Sequence, residues 1–371
     1  MQYNILVINW QDIKNPFAGG AEVHLYEIFR RLVIMGHRVT LLCCRYAGSL
    51  EEEVIDGIHI IRKGNRNTFN FIVPAVYREL THKYSFDVVF DDINKIPFFT
   101  HFFVKEPIIA IVHHFFGKSI FLETTLPNAL YVYLSELLVP YLYPDIPFAV
   151  VSESTRRELL KRGVRSDINL LPNAVDLSRY QIIKSMNSKA PVVGYLGRLK
   201  KYKSVDHFIR AIPIILKQVP AAQFVIVGDG NDRKRLERLT SRLHLSYKVR
   251  FTGTVSQREK VVFLNQMWVA VNPSPKEGWG LTVIEANACQ TPVVAANSPG
   301  LCDSVISEET GLLFEYGNIE QLAELVCRLL KDERLRITMA QEARKWAETF
   351  DWQKSAETAV HLIEESVDRR K

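Results

Sequence analysis

Two carboxylates and two cations in the second half of this chain have the types and spacing for phosphate and polyol chemistry. Glu277 and Glu285 stand eight positions apart in Glu277-Gly278-Trp279-Gly280-Leu281-Thr282-Val283-Ile284-Glu285. Upstream, Gly197-Arg198-Leu199-Lys200-Lys201-Tyr202-Lys203 follows the apolar run Val192–Leu196. Arginine offers a bidentate fork and lysine a point charge, and both suit phosphate oxygens. A helix starting at Leu281–Thr282 would aim free N–H groups at an anion, and Gly278 and Gly280 would let the backbone approach it closely. The carboxylates would accept hydroxyls. Together these residues read as a site for a sugar nucleotide.

Each motif also has a plainer reading. Lys200 and Lys201 extend the cations into a charge run of the kind that forms solvated turns. Thr282-Val283-Ile284-Glu285 fits a capping box, which would account for Glu285 but not for Glu277. Gly228-Asp229-Gly230-Asn231-Asp232-Arg233 has Arg233 where a dinucleotide fingerprint needs its third glycine. It also follows the second strand of its series, so a turn into a helix is expected there.

In the first half, Gly19-Gly20-Ala21-Glu22 precedes a long helical pattern, and glycines there permit close approach of a ligand. His113-His114 ends the apolar run Ile108–Val112. Neighbours on a strand point to opposite faces, and His113 is taken as the one turned to the ligand. No metal-ligand cluster accompanies it in the sequence. The aromatic and leucine-rich stretch Phe115–Tyr143, broken by Pro127 and Pro140, fits a face for a bilayer or a greasy acceptor, or plain core or interdomain packing.

These residues need a scaffold, and the pattern supplies one. Short β-branched runs alternate with helical periodicity: Ile5–Ile8, Val39–Cys43, Val88–Phe90 and Ile108–Val112, then Val192–Leu196, Phe224–Val227, Val249–Phe251, Val269–Asn272 and Val293–Ala296. Alternation of this kind implies α/β architecture with parallel sheets covered on both faces. Two series in 371 residues imply two doubly wound domains. The expected division places residues 1–183 in the first and 184–351 in the second, with a link near Tyr180–Pro191. The helical segment 352–371 is expected to pack back on the first domain. Ligands of such sheets bind beyond the carboxyl ends of the strands.

The composition is that of an ordinary globular chain, 47% hydrophobic and 24% charged. The net charge of +6 gathers in the second half, which suits an anionic ligand and is too mild and diffuse to indicate nucleic acid. The five cysteines form no C-x-x-C pair and read as buried thiols in a reducing, cytoplasmic setting. The N-terminus reads as a first strand rather than a signal peptide, and no apolar run is long enough to span a membrane.

Taken together, the motifs resemble the retaining glycosyltransferases of family 4, which have the GT-B fold of two Rossmann-like domains facing a central cleft. The resemblance rests on Gly19-Gly20, His113, Ser152-Glu153-Ser154, Pro172-Asn173-Ala174-Val175-Asp176, Gly197-Arg198-Leu199 with Lys203, and Glu277 with Glu285. Ala174 stands where the family commonly has Gly, Trp279 where it often has Phe or Tyr, and His114 where an Asp often follows the histidine. The resemblance implies an acceptor-binding first domain and a donor-binding second domain. The donor is a nucleotide-diphosphate sugar, with UDP favoured over GDP-mannose, and the acceptor a glycan, lipid-linked or small-molecule hydroxyl. It implies that Arg198, Lys203 and the N–H groups around Gly280–Thr282 stabilise the departing diphosphate without a metal or other cofactor. It also implies that Glu285 binds ribose hydroxyls, Glu277 faces the donor sugar, and His113 contacts the sugar from the other domain. Peripheral contact with the inner face of a membrane is a further expectation. The alternatives are a sugar-nucleotide epimerase of GT-B fold and a non-catalytic sugar-nucleotide-binding subunit.

Overall fold

Apolar β-branched runs separated by amphipathic helices form two sheets in a computed structural model that describes residues 1–94, 96–183 and 188–369. The chain divides into two compact units, Met1–Asn173 with Trp352–Lys371, and Ala174–Asp351. Residues 174–183, expected in the first domain, thus belong to the second. The reason is Tyr180, which is buried and hydrogen-bonded to Glu285. Lys184-Ser185-Met186-Asn187, expected as part of the link, lie outside the described residues.

The first unit contains β1 (Asn4–Ile8), α1 (Gly20–Ile34), β2 (Arg38–Cys44), β3 (Glu52–Ile55), β4 (Ile58–Lys63), α2 (Phe69–Lys83) and β5 (Val88–Ile93). It continues with β6 (Ile108–Val112), α3 (Leu126–Leu142), β7 (Phe148–Val150), α4 (Glu153–Lys161) and β8 (Ile168–Leu170). Among the described residues its eight strands lie in the order β3-β4-β2-β1-β5-β6-β7-β8. All pairings are parallel except β3 with β4, a hairpin at the sheet edge. Its turn residues Asp56 and Gly57 both have positive φ, 46° and 81°, as a tight two-residue hairpin requires. The central strands are buried almost throughout, because helices cover both faces.

The second unit contains β9 (Val192–Leu196), α5 (Val205–Gln218), β10 (Gln223–Val227), α6 (Arg233–Arg242), β11 (Val249–Gly253), α7 (Gln257–Gln266) and β12 (Val269–Asn272). Then come α8 (Leu281–Ala288), β13 (Val293–Ala296), α9 (Leu301–Ser304), β14 (Gly311–Phe314), α10 (Ile319–Lys331) and α11 (Glu333–Glu348). Among the described residues its six strands are all parallel, in the order β11-β10-β9-β12-β13-β14. The order reverses beside β9, so the loops after β9 and β12 flank a switch point where an open sheet takes its ligand. The chain ends in α12 (Trp352–Asp368), which returns to the first unit and buries Trp352, Leu362 and Ile363.

In Phe115–Tyr143, Pro127 lies in the first turn of α3 rather than breaking it, and Pro140 lies inside its last turns. Four of the cysteines are buried as expected, but Cys302 is exposed.

Candidate functional site

The loop after β9 is built by backbone contact with the loop after β10. Gly197 N–H donates to Val227 O at 3.0 Å, Leu199 N–H to Asp229 O at 2.8 Å, and Asp232 N–H to Leu199 O at 3.0 Å. A Cβ on Gly228 would stand 2.0 Å from Gly197 O, and one on Gly230 2.2 Å from Leu199 O. The Gly228-Asp229-Gly230 motif therefore packs one loop on another and shapes the turn that carries Arg198.

Arg198 is exposed at that turn. Lys203 follows in a short helical turn, and its Nζ donates to both oxygens of Glu277, at 2.5 and 2.6 Å. Each of the two side chains is only 14% exposed, so the expectation of a solvated basic turn fails for Lys203. Burial pushes the Lys203 pKa down and Arg198 opposes its protonation, but Glu277 together with Tyr202 outweighs both and the net shift is upward. The group is a full cation at neutral pH. Two cations and one carboxylate leave a net positive charge here, and an anion would complete it.

Glu277 is held by the loop after β13. Its N–H donates to Pro299 O at 3.0 Å, and Gly300, at φ +83°, lies so close that a Cβ would stand 2.2 Å from Glu277 O. The next turn starts α8 at Gly280, which is left-handed with φ +87° and gives no side-chain cap. Val283 N–H turns back to Gly280 O at 2.8 Å, so the N–H groups of Leu281 and Thr282 precede the first helical bond and are available to an anion. Trp279, expected at the ligand, is 4% exposed, with its indole edge-on to Phe350 at 4.6 Å between ring centroids. Its side chain anchors the turn to the helical region behind. Gly280, expected to leave room for the ligand, is buried, and a Cβ there would stand 2.6 Å from Ser304 Oγ, so this glycine packs the turn on α9.

The capping-box reading of Glu285 fails. Gly280 caps α8, and Glu285 lies in its second turn with its carboxylate engaged elsewhere. Oε1 accepts from Tyr180 Oη at 2.5 Å and from Lys260 Nζ at 3.0 Å. Glu285 is 6% exposed, and burial with this carboxylate drives the Tyr180 pKa upward. Neither Tyr180 nor Lys260 has a sequence signal; one precedes β9 and the other lies within α7.

In the first unit, Gly19 N–H donates to Glu22 Oε2 at 2.6 Å across the start of α1, so that donor is already engaged. Gly20 is exposed, and nothing lies within 4 Å of where its Cβ would be. His113 follows β6 and is buried beside Asp92 of β5, Nε2 to Oδ1 3.0 Å, and His24 of α1, 5.1 Å between ring centroids. Asp92, Glu22 and His24 were not identified as a group from the sequence. Glu22 and His24 are neighbours at the start of α1, but Asp92 is some seventy residues away on β5, and the fold brings them together beside His113. His114 packs against Phe116, 4.7 Å between ring centroids.

The profile of the glycosyl transferases group 1 matches residues 179–346, and that of glycosyltransferase family 4 matches residues 18–179. The chain belongs to the family 4 glycosyltransferases. This family 4 chain is 34% identical over 184 residues, 48% of its length, to 44% of the D-inositol 3-phosphate glycosyltransferase of Corynebacterium jeikeium. It spans about half the length of the curated relatives it matches, 44%, 60% and 51% of three of them. Its fold is that of sucrose-phosphate synthase from Thermosynechococcus elongatus, with TM-score 0.84, 21% identity, and 98% and 99% of the two chains covered. It is similarly that of Anabaena HepE solved in complex with UDP-glucose, with TM-score 0.79, 20% identity, and 98% and 100% covered. Two Rossmann-like parallel-sheet domains place this family 4 chain in the GT-B class.

Proposed function

We propose that the protein transfers a sugar from a nucleotide diphosphate donor to an acceptor hydroxyl, with retention of the anomeric configuration. The observation that carries this reading is the Lys203–Glu277 pair, drawn out of solvent beside Arg198 and the uncapped start of α8. A UDP-sugar is the favoured donor; a structural neighbour was solved with UDP-glucose. The acceptor is a hydroxyl of a glycan, lipid-linked or small molecule. The first unit contributes His113 and the open backbone at Gly20 to ligand recognition.

In the transfer, the bond from the anomeric carbon to the diphosphate oxygen breaks and its electron pair stays on the β-phosphate. The acceptor oxygen bonds to that carbon and gives up its proton. Arg198, Lys203 and the N–H groups of Leu281 and Thr282 stabilise the growing phosphate charge electrostatically, the role a divalent cation would otherwise fill. Donor binding releases Lys203 from Glu277 to the phosphate, and Glu277 then accepts hydroxyls of the sugar. Glu285, held by Tyr180 and Lys260 through one oxygen, offers the other to ribose hydroxyls.

The test is transfer by Lys203→Ala and Glu277→Ala. Each lost charge-assisted contact is worth about 1.5–3 kcal/mol, so kcat/KM falls about 10–100-fold while each variant remains folded, with a lowered melting point because one charge of a buried pair loses its partner. Full activity in both overturns the proposal. Incubation with donor alone separates transfer from epimerisation, because only an epimerase isomerises the donor without an acceptor. A thermal-shift series with UDP-, GDP- and ADP-sugars identifies the base, since the nucleotide that binds raises the melting point by mass action.

A further inference from the structure

Asp92 is 0% exposed at the end of β5, and neither of its carboxylate oxygens makes a hydrogen bond of good geometry among the described residues. A buried carboxylate left in that state is costly unless a charge compensates it. The compensating group is His113, whose Nε2 lies 3.0 Å from Asp92 Oδ1 at ion-pair distance, though not aligned for a hydrogen bond. The sheet imposes this meeting. β5 and β6 pair in parallel with Asp92 opposite Ile111, so His113, just past the end of β6, rises beside Asp92. Strand alternation sends Asp91 to the other face, where it accepts from Thr100 Oγ1 and Tyr143 Oη, both at 2.6 Å.

We propose that Asp92 is a positioning residue for His113: its carboxylate orients the imidazole and holds it as a charged donor toward the hydroxyl-rich ligand of the first unit. This rests on the reading of His113 as a ligand contact. With Nε2 turned to Asp92, Nδ1 is the ring atom left for a hydroxyl. The Thr155 hydroxyl, at the start of α4, donates to His113 O at 3.1 Å and fixes the backbone behind the ring. The ring edge meets His24, whose pKa is pushed down to about 3 by burial and by the His113 charge, so His24 faces His113 as a neutral group.

The charged groups around His113 can be named element by element. β5 supplies Asp92, and α1 supplies Glu22 and His24. Glu22 is itself tied to Gly19 N–H and to Asn94 Nδ2 at 3.2 Å. On α4, Glu153 is engaged by Arg156 and Arg157 at 3.6 and 3.4 Å. α12 turns Trp352, Ser355, Ala356 and Ala359 inward, none of them ionisable. Burial lowers the His113 pKa, but Asp92 and then Glu22 outweigh it and the net direction is upward. The charged form thus persists to higher pH than in a free histidine, and deleting the Asp92 charge should bring it down.

The experiment is an NMR titration of the histidine rings of the ligand-free protein, with His113→Gln assigning the His113 signal. Asp92→Asn is expected to lower the His113 midpoint by about 1–3 units, the effect of removing an opposite charge at contact distance. His37 and His59 are expected to stay put. An unmoved His113 midpoint in folded Asp92→Asn overturns the proposal. If Asp92→Asn does not fold, Asp92→Glu carries the test: the proposal requires a midpoint still above that of the exposed histidines, and a midpoint level with theirs overturns it.

Transfer assays complete the test. Asp92→Asn is expected to lower kcat with little change in donor KM, to move the alkaline limb of the rate profile to lower pH, and to cost nothing further in a His113→Gln background. A moved midpoint with unchanged transfer in both Asp92→Asn and His113→Gln overturns the positioning role. The donor-site reading is unaffected by that result, because it stands or falls at Lys203 and Glu277.

Discussion

At the scale of single residues, partner identity decides what each charge can do. Glu285 shares one oxygen between Tyr180 and Lys260, and both are close enough to fix its rotamer as well as its charge. Tyr180→Phe and Lys260→Met should each raise donor KM about 10-fold with little loss of kcat, since each removes a contact that is present before the transition state. Steady-state kinetics with saturating acceptor checks this, and an effect on kcat alone would contradict it. His24 gives a pH prediction. Its folded pKa, near 3, lies below the ordinary 6.5, so between those values the unfolded chain binds the extra proton and stability falls as pH falls. His24→Leu abolishes that contribution, although it loses the 2.8 Å contact to Leu171 O. The melting-point gap between wild type and His24→Leu should narrow from pH 7 to pH 4, and a gap that widens would show His24 protonated in the fold.

At the scale of elements, glycines separate loops that must touch from loops that leave room. Gly228 and Gly300 sit where a Cβ would enter a neighbouring carbonyl, whereas Gly20 has open space. Gly300→Ala should therefore displace Glu277 and cost about 1–3 kcal/mol in chemical denaturation, with a larger loss of transfer than of stability. Gly20→Ala should leave the melting point within a degree or two, and a loss of donor or acceptor affinity there would show that ligand occupies the open space. Helix α3 shows a different division. Its one carboxylate, Glu136, faces inward and accepts from Phe116 and Gly117 N–H groups at 2.6 and 2.8 Å, while Leu126, Leu130, Leu134, Leu137 and Leu138 face out. Ala129, Val132 and Val139 are buried as well, so the helix is apolar on both faces, which is why periodicity in Phe115–Tyr143 did not separate packing from an external apolar face. Leu134→Gln should change stability by less than about 0.5 kcal/mol, as for an exposed position. A larger loss would mean that this face is covered.

At the scale of the whole molecule, the chain leaves its first unit, builds the second and comes back. α12 contributes Trp352, Leu362 and Ile363 to the first unit, and burying each large apolar side chain is worth about 1.5–3 kcal/mol. Truncation after Asp351 removes all three, on the order of the total stability of a domain. The truncated protein should be insoluble or lack a cooperative thermal transition, and a soluble product with the wild-type melting point would refute the assignment of α12 to that core.

The alternation of apolar runs and helices carried both parallel sheets, because strands buried on two faces must be continuously apolar. The glycines and charges of residues 197–203 and 277–285 likewise carried the outline of an anion site, since few other chemistries need those residues so spaced. The β3–β4 hairpin escaped notice because Glu51-Glu52-Glu53 hide an edge strand that needs only one buried face. The partners were decided by the tertiary structure alone: Lys203 with Glu277, Glu285 with Tyr180 and Lys260, His113 with Asp92, and the Trp279 ring with Phe350. These pairs are distant in the chain, and a side chain's local pattern records its burial but not which remote strand end or helix comes to meet it.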